Sequence, residues 1–170
     1  MLKKLTHAAI AAVLVLVAIA NPQPAQAQAF SDYLENKLTD FVFRAQSLTA
    51  PATIYVGFST AACSDSSFGT EVATGSYARV AVTSSLTNWA GTQSAGSTTA
   101  STGTGGVTSN NGAINFPTPS AGWGTVTHWF LADASTSGNL LFCAALTVSK
   151  TINSGDTVSF AAGALTVTHQ

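Results

Sequence analysis

Charge is what this 170-residue chain has least of. Asp, Glu, Lys and Arg together make up 8% of it, against roughly a quarter in ordinary globular proteins. The formal net charge is −1 and no cluster of Lys or Arg occurs. Nucleic acid is thereby excluded as a partner, because no electrostatic footprint for it exists. Cysteine is nearly as scarce, at two residues. Cys63 and Cys143 stand too far apart for a C-x-x-C redox or zinc motif. No G-x-S-x-G elbow is present. Asp65, Glu71, Asp133 and Asp156 are scattered without the D-x-D-x-D-G spacing of a calcium loop. His128 and Asp133 lie near each other, but His128 sits in a strand-like stretch beside Trp129, where a packed or hydrogen-bonded role is expected. Catalytic, cofactor and metal residues are therefore all expected to be none.

The one long apolar run is at the N-terminus. Lys3 and Lys4 precede Ala8 to Ala20 (AAIAAVLVLVAIA), and Ala25-Gln26-Ala27 and Ala27-Gln28-Ala29 follow as A-x-A sites. This is the order of a secretory signal peptide, expected over 1–29 with cleavage after Ala27 or Ala29. The competing reading, a retained anchor, needs about 20 apolar residues, and Asn21-Pro22-Gln23-Pro24 interrupts the run. No later stretch is long enough to cross a membrane, so no membrane contact is expected after cleavage. Export places the protein outside the cell, at its surface or in the periplasm. The remaining chain, about 140 residues, suits one domain.

Residues 30–48 read as a helix with its linker. Ser31 is a candidate N-cap, with Asp32 and Glu35 in the first turn and Arg44 in the last. Phe30, Leu34, Leu38 and Phe41, with Val42, follow a 3.6-residue period. An apolar stripe at a terminus must dock somewhere, on its own domain or on a neighbouring subunit. These four residues are the candidate assembly helix.

From 49 to 170 the pattern is that of strands. Thr53 to Phe58 places Ile54, Val56 and Phe58 on one face and Tyr55 on the other. Ser76 to Thr83 alternates similarly, with Val80 and Val82 opposite Tyr77 and Arg79. Thr125 to Ala132 and Asn139 to Leu146 are joined by a turn-rich DASTSG link, and the second is apolar enough to be covered on both faces. Thr157 to Phe160 and Ala164 to His169 complete the set. Residues at about 90–112, rich in Ser, Thr and Gly, are expected to form a long surface loop within this domain. Short strands at this spacing predict an all-β fold, an antiparallel β-sandwich of jelly-roll-like type with one N-terminal amphipathic helix.

Two readings stay open for two residue types. An even cysteine count in an exported chain invites a Cys63–Cys143 disulfide; the alternative is a pair of separate buried thiols. Trp89, Trp123 and Trp129 are expected in the core, the alternative being an aromatic platform for sugar rings.

The segments AFSDYLENKL, TAPATIYVGFSTA, GTEVATGSYARVAV, NWA, INFPTPSAGWGTVTHWFLAD, GNLLFCAAL and NSGDTVSFAAGALTVT together resemble a family of small tailed-phage structural proteins, labelled tail fibre or virion structural proteins. The resemblance runs in order from Ala29 to Thr168. It implies a β-sandwich virion component without catalytic residues, located in the virion if phage-encoded. Two features depart from the pattern: the added signal peptide, and Cys63 and Cys143, where the family has other residues such as proline and tyrosine. The expectation is a non-enzymatic, phage-derived structural or fibre-like protein acting by assembly or surface display, with protein partners or further copies of itself. The alternative is a secreted surface adhesin or carbohydrate-binding module, with a surface glycan as partner.

Overall fold

The computed structural model describes residues 30–169. The expected signal peptide lies outside the described residues. α1 (Asp32–Phe43) is followed by β1 (Thr53–Ser59), β2 (Val80–Thr83), β3 (Val107–Ser109), β4 (Ile114–Asn115), β5 (Gly124–Ala132), β6 (Leu140–Ile152), β7 (Ser159–Phe160) and β8 (Thr166–Thr168). The described residues are all-β apart from this helix, and every strand pairing among them is antiparallel. One sheet has the order β2-β1-β5-β6; β3 pairs with β8 and β4 with β7 in two separate ribbons.

Alternation along β1 explains how these layers meet. Val56 and Phe58 point into the main core beside Trp129, Leu131, Phe142 and Ala144 of the same sheet. Ile114 and Phe116, together with Val167 from β8 and Leu165 just before it, close that core from the ribbon side. Tyr55 points the other way, onto a smaller cluster of Phe130, Ala132 and Leu140. β6 is thus covered on both faces over its first half. The eight strands found among the described residues divide four, two and two, whereas an ideal jelly roll has two four-stranded sheets.

Three sequence boundaries shift. The strand expected from Ser76 starts at Val80, because Tyr77 is taken into a turn, its amide donating to the Thr74 carbonyl (3.1 Å). Tyr77 then packs on the main core with Val80 and Val82 rather than opposite them. The strand expected to end at Leu146 runs on to Ile152, with a bulge in its pairing between Val126 and His128 of β5. The segment expected as a loop contains β3 and is cross-linked by its own polar side chains. Ser97 Oγ accepts from the Gly91 amide (2.8 Å), and Gln93 Nε2 donates to Thr99 Oγ1 (2.8 Å). The serine and threonine content that suggested an insert supplies these bonds.

Candidate assembly site

α1 forms as its sequence dictates. Ser31 is extended and accepts the Leu34 amide at 3.3 Å, and Asp32 and Glu35 occupy the first turn. Arg44 lies one residue past the last turn as the C-cap and pairs with Asp40 at 2.9 Å. Yet no residue of α1 is buried. The helix is held at its root and by Tyr33 of its first turn, which packs half-buried on the main core. Phe30 bridges to Phe142 of β6, and the Ser31 amide and hydroxyl donate to the carbonyls of Leu141 and Leu140. The Asp32 amide donates to the Asp65 carbonyl (2.9 Å), in the loop that follows β1.

The four residues of the apolar stripe are therefore divided. Phe30 packs against the core, its ring centroid 5.0 Å from that of His169. Leu34 borders an open apolar cleft of about 420 Å³, shared with Ile54, Leu86, Trp89 and Leu141. Leu38 is half-buried. Phe41 is 52% exposed, and its neighbours Val42 and Phe43 are 62% and 81% exposed. The far end of the helix is an apolar tip in water, continued by exposed Leu48 in the linker.

Cys63 and Cys143 are joined by a disulfide, with their Cα atoms 6.4 Å apart. The bond ties the loop after β1 to β6, close to the root of α1. That loop is also organised by Ser59, whose Oγ accepts the Thr70 amide (2.9 Å) and donates to the Ala61 carbonyl (2.8 Å).

The other singled-out side chains have structural partners. His128 Nδ1 bonds Thr127 Oγ1 (2.8 Å), and burial holds its pKa below the ordinary value. Asp133 uses both carboxylate oxygens on Asn139, at 2.7 Å each, to close the β5–β6 hairpin. Trp123 and Trp129 are buried, and Trp123 Nε1 donates to the Gly75 carbonyl (3.0 Å). Trp89 is half-buried against the core, and its indole N–H has no hydrogen-bond partner. Among the described residues no cluster of three His, Cys, Asp or Glu is placed to hold a metal, and no helix is long and apolar enough to cross a membrane.

Two polar centres were not singled out from sequence. Arg79 is buried, with bidentate bonds to Glu71 (2.7 Å each) and bonds to the carbonyls of Ala134 and Ser137 (2.8 Å each). Asn110 is buried in the ribbon layer, donating to Gly112 and Ala161 and accepting the Leu165 amide (2.9 Å). An arginine alternating with valines and an Asn-Asn-Gly turn were the only hints.

Residues 29–168 match the family described as Podophage GP4 fiber I protein gp80. No curated protein matches the chain significantly.

Proposed function

The chain belongs to the podophage GP4 fiber I protein gp80 family, and from that premise we propose that it works by assembly, with α1 as the arm that docks on a protein partner. Membership makes it a structural, fibre-like protein; the docking arm is the finer reading. One observation carries it: an ordered, capped helix whose tip leaves Phe41, Val42 and Phe43 in water. Burying a Phe or Val side chain is worth about 1.5–3 kcal/mol, so three neighbouring side chains offer a partner a substantial gain. The reading is non-enzymatic, since the histidine and the hairpin aspartate each have structural partners and do not meet. Burial of Trp123 and Trp129 gives the carbohydrate platform no support.

The test is Phe41→Asp combined with Phe43→Asp. Both positions lie outside the core, so the thermal midpoint should stay within a few degrees of wild type while the assembly seen by light scattering falls to monomer. A wild-type chain that is already monomeric and binds no virion protein, or a variant that still assembles, overturns the reading. Export with cleavage after Ala27 or Ala29 is proposed alongside it. N-terminal sequencing decides that point, and a secreted chain beginning at Met1 sinks it.

A further inference from the structure

The root of α1 is gripped by two jaws. One is the start of β6, through the Phe30–Phe142 bridge and the two Ser31 bonds to Leu140 and Leu141. The other is the loop after β1, through the Asp65 carbonyl that accepts the Asp32 amide. Cys143 is the residue after Phe142, and Cys63 is two residues before Asp65. Their disulfide therefore joins one jaw to the other. Around Asp65 the loop has few other ties: Ser64 and Ser67 exchange backbone bonds and Ser67 Oγ accepts the Gly69 amide, while Phe68 packs on Phe130 farther along and the Ser59 contacts lie at the loop's base. Both cysteines are half-buried rather than enclosed, so a small thiol has access.

We propose that the Cys63–Cys143 disulfide is a redox lock on the posture of α1. Reduction by a small dithiol breaks the Sγ–Sγ bond. Two electrons and two protons pass to the sulfurs, leaving two cysteine thiols, and the dithiol closes to its cyclic disulfide. The Asp65 jaw then drifts from Asp32, the first turn loses a satisfied amide, and the helix is left with its β6 bonds and the packing of Tyr33 on the core. The lock deepens the assembly reading and rests on it for its consequence, since a loosened arm presents its tip less well. The lock itself is measurable without any partner.

Amide hydrogen exchange of residues 32–39 tests it, in oxidised protein and after reduction with dithiothreitol. Because α1 has no buried residue, its amides exchange through local opening and do not follow the global stability. Losing a capping bond and its tether should speed that exchange on the order of tenfold. Asp32→Pro supplies the second arm. It deletes the one amide that Asp65 holds, at the N1 position where proline is favoured, and Ser31 already has the extended backbone that a following proline requires. In oxidised Asp32→Pro protein, exchange over 33–39 should already be fast, and reduction should change it less than about twofold. Unchanged α1 exchange on reduction of wild type overturns the lock. So does a reduction effect in Asp32→Pro as large as in wild type. If exchange responds as expected while the protein is monomeric in both states and binds no virion protein, the lock stands and the assembly reading fails.

Discussion

Two arginines here pair with carboxylates at nearly the same distance, 2.7 Å for Arg79–Glu71 and 2.9 Å for Arg44–Asp40. They should differ several-fold in their contribution to stability. The side chains are 2% and 28% exposed in the first pair and 71% and 36% in the second. Arg79 also bonds two hairpin carbonyls and lies over the rings of Phe68 and Phe130, at 4.6 and 5.0 Å from their centroids. Removing one partner of a buried pair costs about 3–5 kcal/mol. Glu71 keeps some access to water, so the lower end applies and Arg79→Ala should lose about 3 kcal/mol. Arg79→Lys keeps the charge but not the planar fork, and should lose about 2 kcal/mol. Arg44→Ala breaks an exposed i,i+4 pair and should lose no more than about 0.5 kcal/mol. Urea unfolding followed by tryptophan fluorescence measures all three, since Trp123 and Trp129 are buried. For a domain of this size, 3 kcal/mol corresponds to a melting temperature lower by about 10 °C. The reasoning fails if Arg79→Ala loses less than about 1 kcal/mol, or if Arg44→Ala loses as much.

Asn110→Ala leaves the Leu165 amide without its partner and removes the side-chain bonds to the carbonyls of Gly112 and Ala161, the latter keeping the Ala164 amide, so it should destabilise by about 2–4 kcal/mol; a urea midpoint within error of wild type would refute this. The acid response follows from His128 and His169, both held below the ordinary 6.5 by burial. The unfolded chain then binds more protons as pH falls through 6.5, so stability is full above that pH and declines below it. Urea midpoints at pH 7.5 and 5.5 check the sign, and His128→Gln with His169→Gln should flatten the slope. At the alkaline end Tyr77 is shifted upward, chiefly by burial. The folded state keeps its phenolic proton while the unfolded state loses it above pH 10, so stability should decline there, and Tyr77→Phe should remove that decline.

The main sheet was legible because its strands carry their own pattern. Alternation from Thr53 to Phe58 and the apolar run from Asn139 to Leu146 fix which faces are covered before any partner is known. The capped helix was legible for the same reason, its Ser31 cap and acidic first turn being local. β3 and β4 were not, being three and two residues long. Their identity as strands comes from β8 and β7, some fifty positions later, which a local window does not contain. The hydrogen bonds of Arg79 were hidden for a related reason: alternation predicts the face on which an arginine falls, not that Glu71, Ala134 and Ser137 converge there. Nor does a 3.6-residue period distinguish a stripe buried at home from one left open. Phe30 and Phe41 look alike in sequence, yet one joins the core and the other is in water.

That difference between Phe30 and Phe41 separates stability from docking. The β body closes on its own aromatic core, in which Phe58, Phe116, Trp123, Trp129 and Phe160 are linked by a chain of ring contacts. Its two buried polar centres, Arg79 and Asn110, find their partners within the body. α1 adds only Tyr33 to that core beyond its root, so changes at the tip have little folding energy to disturb. Selection on such a tip is free to follow the partner rather than the fold. A chain so poor in charge has few ionic means of recognising a partner. An apolar tip whose posture is fixed at the root gives it another: burial on contact, with the geometry set in advance.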